Sequence, residues 1–166
     1  METCFIDSPL GITKIVGDED GISIISILSE GDSRAKLEKA EQITTKIPKN
    51  LKVCVSQLQE YFKGERNYFD FKLNPKGTDF QQKVWQELLN IPYGKTMSYM
   101  DLSKKLGDVK AIRAVASANG KNPLWIIVPC HRVIGTDGSL TGYAGGLWRK
   151  KWLLEHESPS KQQSLF

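Results

Sequence analysis

The chain of 166 residues is poor in the residue types that build disulfide frameworks and metal sites, with three cysteines and two histidines. Cys4, Cys54 and Cys130 form no even set and no CxxC pair, and no HxxxH spacing occurs, so neither a disulfide scaffold nor a structural zinc is expected. Unpaired thiols suit a reducing compartment, here a cytoplasmic one. No apolar run approaches the roughly 18 residues that a membrane span requires, and the first residues lack a secretory apolar core. No membrane partner is therefore expected. What remains is an ordinary soluble composition, 40% hydrophobic and 25% charged.

Charge is uneven. The net +4 divides into −2 over residues 1–75, +5 over residues 76–157 and +1 in the tail. The basic half points weakly towards a polyanion.

The first half reads as α+β. Short β-prone runs at residues 4–8, 12–16 and 22–28 are separated by Pro9, Gly11, Gly17 and Gly21. Leu51, Val55, Leu58 and Phe62 mark one face of a helix stopped at Gly64, with Cys54 on the core side. Phe69, Phe71 and Leu73 alternate as in a strand. The expected organisation is a domain over residues 1–73, a linker over 74–78, a second domain over 79–157 and a polar tail over 158–166.

The second half is mainly helical. Thr78 with Gln81 forms a capping box ahead of an apolar stripe of Phe80, Val84 and Leu88. Ser98 with Asp101 starts a helix running to Gly107, and a second helix follows at about residues 110–119. Helix, glycine turn and helix suggest a helix-turn-helix. The second helix is built from Ala111, Ala114, Ala116, Ser117 and Ala118, which leave little bulk on any face. Lys110 and Arg113 are its cations.

The densest chemical signal is Pro129-Cys130-His131-Arg132-Val133. It follows an apolar run at residues 125–128 that reads as a buried strand. A thiol becomes a competent nucleophile only with a base or cation beside it, and here a histidine and a permanent cation follow directly. Neighbouring side chains of an extended segment diverge, so a bridging water is the easier geometry between Cys130 and His131.

These residues closely resemble the O6-alkylguanine-DNA alkyltransferases. The matching segments are Gly77-Thr78-Asp79-Phe80-Gln81, Ile91-Pro92-Tyr93-Gly94-Lys95-Thr96, Ser98-Tyr99, Arg113-Ala114-Val115, Asn122-Pro123, residues 129–134 and Gly142-Tyr143-Ala144-Gly145-Gly146-Leu147. The resemblance implies a small ribonuclease-H-like α/β domain before the helical one. It also implies irreversible, single-turnover transfer of an alkyl group from guanine O6, and from thymine O4, to Cys130, without a cofactor.

The resemblance further assigns residues. His131 would take the thiol proton, Glu157 would hold its tautomer, and Asn122 would brace the segment. Tyr99 and Lys150 would donate to the leaving base. Val128, Pro129, Tyr143, Ala144, Gly145 and Gly146 would line the base pocket, with the two glycines leaving room for larger alkyl groups. Lys110, Ala111, Arg113, Ala114, Ala116 and Ser117 would face double-stranded alkylated DNA from the minor groove, Arg113 entering the stack as the nucleotide flips out. A monomer is expected.

Two other readings stay open at this point. A sequence-specific helix-turn-helix regulator would need only the helix pair, and a cysteine hydrolase would use Cys130 and His131 with turnover. Separately, Gln162-Gln163-Ser164-Leu165-Phe166 resembles the short sliding-clamp-binding motif of bacterial replication proteins. Gln162, Leu165 and Phe166 would make that contact. Removing the last five residues should abolish retention on an immobilised clamp, and unchanged retention would exclude the contact.

Overall fold

The computed structural model describes residues 1–158, so the clamp-like tail lies outside the described residues. Two compact units divide the chain, one over Met1–Lys76 and one from Gly77 onward.

The first unit is built on a three-stranded antiparallel sheet in the order β1 (Glu2–Ile6), β2 (Thr13–Asp18), β3 (Gly21–Ile27). Cys4 opposes Ile15, which in turn opposes Ile25, and all three are buried. The period of two carries this pattern along each strand, through Ile6, Thr13 and Ile27. A bulge at Val16 and Gly17 tightens the β2–β3 turn. Glycine is required at Gly21, whose φ of 132° places it where a Cβ would lie 3.0 Å from the Lys72 carbonyl oxygen. After a one-turn helix α1 (Lys39–Gln42), α2 (Lys52–Phe62) buries Cys54, Val55, Leu58 and Tyr61.

The expected strand over residues 69–73 is reduced to one bridge between Leu73 and Ile22. Its cause is local. The Asp70 backbone N–H donates to the Gln57 side chain at 3.1 Å, and only Ile22 N–H to Lys72 O and Asn74 N–H to Ile22 O remain for the sheet.

The second unit starts at α3 (Asp79–Leu88), whose capping box is complete. Gln81 N–H donates to Thr78 Oγ1 at 3.1 Å, and Thr78 N–H donates to the Gln81 side chain at 2.9 Å. The buried face is Val84, Trp85 and Leu88, while Phe80, expected on that stripe, is 40% exposed and Trp85 takes its place in the core. A two-residue strand β4 (Met97–Ser98) leads into α4 (Tyr99–Lys105), with Ser98 Oγ accepting from Asp101 N–H. Gly107 makes the left-handed turn at φ 88°. The single 3-10 turn Val109–Ala111 then opens α5 (Ile112–Gly120). Trp85 Nε1 donates to the Ala118 carbonyl at 2.9 Å and locks α3 to α5.

The largest difference from expectation lies at residues 125–128, which form turns rather than a strand. Ile127 N–H donates to Trp125 O, Val128 N–H to Leu124 O, and Ile126 adopts φ 75°. An apolar run reports burial, and Leu124, Ile126, Ile127 and Val128 are all buried, but burial does not choose a backbone. The sheet partner of this region comes later. β5 (Val133–Ile134) pairs in parallel with β4, Met97 opposite Val133, and α6 (Leu147–Glu157) closes the unit.

Among the described residues no helix is long and apolar enough to cross a membrane. Truncating Trp85→Ala should cost the helical unit about 3–5 kcal/mol, the usual loss for a buried aromatic, read from the urea midpoint. A loss below about 1 kcal/mol would show that α3 and α5 are held elsewhere.

Candidate active site

Cys130 opens a single 3-10 turn, Cys130–Arg132, directly before β5. Its N–H donates to Val128 O at 2.8 Å, which fixes the backbone pitch of the thiol. Asn122 braces the preceding turns from one buried amide. Its Nδ2 donates to Val128 O at 2.8 Å and to Leu124 O at 3.3 Å, and its Oδ1 accepts from Leu124 N–H at 2.9 Å. Val128 and Pro129, expected in the pocket wall, are buried and are not among the residues that line the cavity.

Cys130 is 4% exposed, and burial pushes its thiol up. The Asn122 side chain, the Lys150 ammonium and the local backbone N–H groups pull the other way. The cation that eases ionisation is therefore Lys150 and not the adjacent Arg132. The other two thiols are inert core: Cys4 is pushed up to about 11 by burial, and Cys54 still higher by burial and by Cys4.

His131 is fully buried, and its Nε2 lies 2.8 Å from Glu157 Oε2. Arg132 grips the same carboxylate from the other side, Nε to Oε1 at 2.7 Å and Nη2 to Oε2 at 3.1 Å. Burial alone would raise the Glu157 carboxyl, but His131 and Arg132 together hold it well below the usual carboxylate range. An ionised carboxylate can only accept, so Nε2 must carry the proton. In the neutral ring Nδ1 is then the lone-pair nitrogen. Nδ1 is buried and has no hydrogen-bond partner among the described residues. The imidazole is thus set as an acceptor on the one edge that Glu157 does not use.

Lys150 departs from expectation. Its fully buried Nζ donates to the carbonyls of Val133, Thr141 and Gly142 at 2.6, 2.9 and 3.2 Å. All three ammonium donors are occupied, so it ties the loop at residues 141–142 to β5 and has none left for a base. Burial brings it down to about 8, against the opposing pull of Cys130.

A cavity of about 430 Å³ opens above the thiol. Cys130, Tyr99 and Asn119 line it on one side, Thr141, Gly142, Tyr143 and Ala144 on another, and Ile112, Arg113, Ala116 and Gly120 of α5 complete it. The Tyr99 hydroxyl accepts from Asn119 Nδ2 and donates to Thr141 O, each at 3.4 Å. The Tyr143 hydroxyl is buried without a hydrogen-bond partner among the described residues, and burial pushes it far up.

Gly145 and Gly146 do not enlarge the cavity. A Cβ on Gly145 would meet Tyr143 and Trp125 ring carbons at 2.9 and 3.0 Å, so the space is filled by that aromatic pair. Gly146, at φ 89°, caps α6.

On α5, Val115, Ala118 and Asn119 are buried. Lys110, Arg113, Ala114, Ser117 and Gly120 are exposed, and Ala111 and Ala116 are half-buried. The outer face is therefore short-chained, with cations at its start and Arg113 at the cavity rim.

A buried thiol, an imidazole with its tautomer set by a carboxylate, and a cavity above them are the parts of a cysteine nucleophile site. Two family models match. The ribonuclease-like domain of 6-O-methylguanine DNA methyltransferase covers residues 2–75, and the DNA binding domain covers residues 79–159. The chain belongs to the 6-O-methylguanine DNA methyltransferase family.

Among its relatives, the methylated-DNA–protein-cysteine methyltransferase of Methanosarcina barkeri is 45% identical, covering 92% of this chain and 94% of its own. The constitutive enzyme of Bacillus subtilis is 49% identical over 84% of each chain. Mycobacterium tuberculosis OGT, solved in complex with DNA, superposes with a TM-score of 0.81 at 43% identity, over 100% of this chain and 99% of that one.

Asn122→Ala should slow alkylation of Cys130 by iodoacetamide at neutral pH about fivefold, the equivalent of roughly 1 kcal/mol for one lost hydrogen bond. Peptide mapping of the labelled protein reads this directly. An unchanged rate would remove Asn122 from the thiol's support.

Proposed function

We propose that this chain repairs DNA by moving an alkyl group from guanine O6 to Cys130, irreversibly and once per molecule. The sulfur attacks the alkyl carbon, the carbon–oxygen bond breaks, and a thioether forms. The thiol proton passes to His131 Nδ1, and the guanine leaving group takes up a proton. Tyr99 is assigned as its donor, since its hydroxyl lines the cavity and is held by only two long contacts. His131 and Glu157 act as the base and its orienting carboxylate. Lys150 acts on the thiol by charge and on the cavity wall through the Thr141 and Gly142 carbonyls.

The observation that carries this reading is the position of Cys130 in a cavity walled in part by Ile112, Arg113, Ala116 and Gly120 of α5. A base stacked in a duplex cannot reach a buried thiol, so the nucleotide must leave the stack at a cost of a few kcal/mol. Ala114 and Ser117 let the helix backbone approach a minor groove closely, without side chains that read base edges. Arg113, exposed at the rim, is placed to fill the gap. The same cavity would admit thymine alkylated at O4. Action as a monomer in the cytoplasm belongs to this reading, as does a clamp contact through Gln162, Leu165 and Phe166.

Intact mass after mixing with a duplex carrying O6-methylguanine tests the proposal. One methyl should be gained per protein, and none in Cys130→Ala. Arg113→Ala should keep reaction with free O6-benzylguanine while losing most of its rate on duplex. Catalytic turnover without a mass gain would favour a cysteine hydrolase, and lesion binding without either would make the chain a recognition protein.

A further inference from the structure

Glu157 accepts from two side chains, and the alkyl-transfer reading uses only one of them. We propose that Arg132 is a positioning residue for transfer, holding the Glu157 carboxylate in the place and charge state that leave His131 free to accept the Cys130 proton. This deepens the function proposed above and rests on it.

Glu157 is the last residue of α6, a poor place for a negative charge. Helix ends fray, and the unpaired carbonyls there repel a carboxylate. Arg132 answers both problems. Its fork takes both carboxylate oxygens, and its third nitrogen, Nη1, donates to Ile91 O at 2.7 Å in the turn after α3. The carboxylate is thereby tied to two segments besides its own helix. A lysine could not reproduce this, because its single nitrogen cannot span both oxygens and Ile91.

Glu157 Oε2 receives both His131 Nε2, at 2.8 Å, and Arg132 Nη2, at 3.1 Å. The imidazole and the guanidinium therefore share one oxygen. With the guanidinium gone, Oε1 loses its 2.7 Å anchor, and the carboxylate can turn away from the imidazole edge it orients. A ring without that carboxylate in place has no fixed tautomer to keep Nδ1 as the acceptor.

The other titratable groups in reach do not take over this task. Tyr93, with the guanidinium 5.8 Å from its ring centre, and Tyr143 both feel Glu157, and burial pushes both hydroxyls up, so they stay neutral. Lys150 and Cys130 act on each other, and the Lys150 donors are all committed.

The test is the single-turnover rate of methyl transfer from an O6-methylguanine duplex at neutral pH. It compares wild type, R132K, R132M, E157Q and the double variant R132K/E157Q. Both single Arg132 variants should react about 10- to 100-fold more slowly, as for a misplaced catalytic group, with duplex affinity unchanged. In the E157Q background R132K should add less than about threefold, because the interaction it removes is already gone.

Arg132 variants within about twofold of wild type, or an equal R132K loss with and without Glu157, would overturn the proposal. Loss of the far-ultraviolet signal in both single variants would assign Arg132 to folding alone and overturn it as well. A wild type that gains no methyl would instead sink the alkyl-transfer reading.

Discussion

One buried carboxylate organises the catalytic half of this protein. Glu157 closes α6, orients the histidine beside the thiol, and receives an arginine anchored to the turn after α3. A buried charge of this kind is stabilising only while its partners are in place. With them, its negative charge also decides which imidazole nitrogen holds the proton. Electrostatics, tautomer and tertiary structure therefore meet in one side chain.

A second buried charge works in parallel. The ammonium of Lys150 is held by three carbonyls, so it costs the fold less than a free buried cation would. It holds the loop that forms one wall of the cavity and faces the thiol with positive charge. Glu157 and Lys150 lie on the same helix, seven residues and about two turns apart. A single amphipathic element thus carries a negative pole towards the imidazole and a positive pole towards the sulfur.

What was legible in the sequence was mostly local. The three strands, the capping box at Thr78, the Ser98 cap and the Gly107 turn are each specified within a few residues, and the structure reproduces them with small shifts at their ends. The Cys130-His131 pair is legible in its own motif, and the Asn122 contacts fit the brace that the family resemblance implies. What escaped depends on distant contacts. Arg132 looked like a cation for its neighbour Cys130, yet its partner lies 25 residues away. Lys150 looked like a donor to substrate until its carbonyl partners were in view. The strands β4 and β5 have two residues each and show no period, although their pairing sets the thiol turn. The apolar run before Cys130 reported only that it is buried, because a turn and a strand bury the same side chains.

Ile126 has a further consequence. A β-branched residue at φ 75° stores strain of about 1–3 kcal/mol, and four residues before the thiol it is retained only because the surrounding core leaves no alternative. Core and nucleophile are therefore mechanically one object. Mild softening of the interior, by heat or by a distant cavity, would let this segment relax to an ordinary conformation and swing the sulfur off its line of attack. The earliest casualty of partial melting would be aim rather than fold. Helical content and duplex binding would outlast the capacity to react, leaving a protein that can still occupy damaged DNA without mending it.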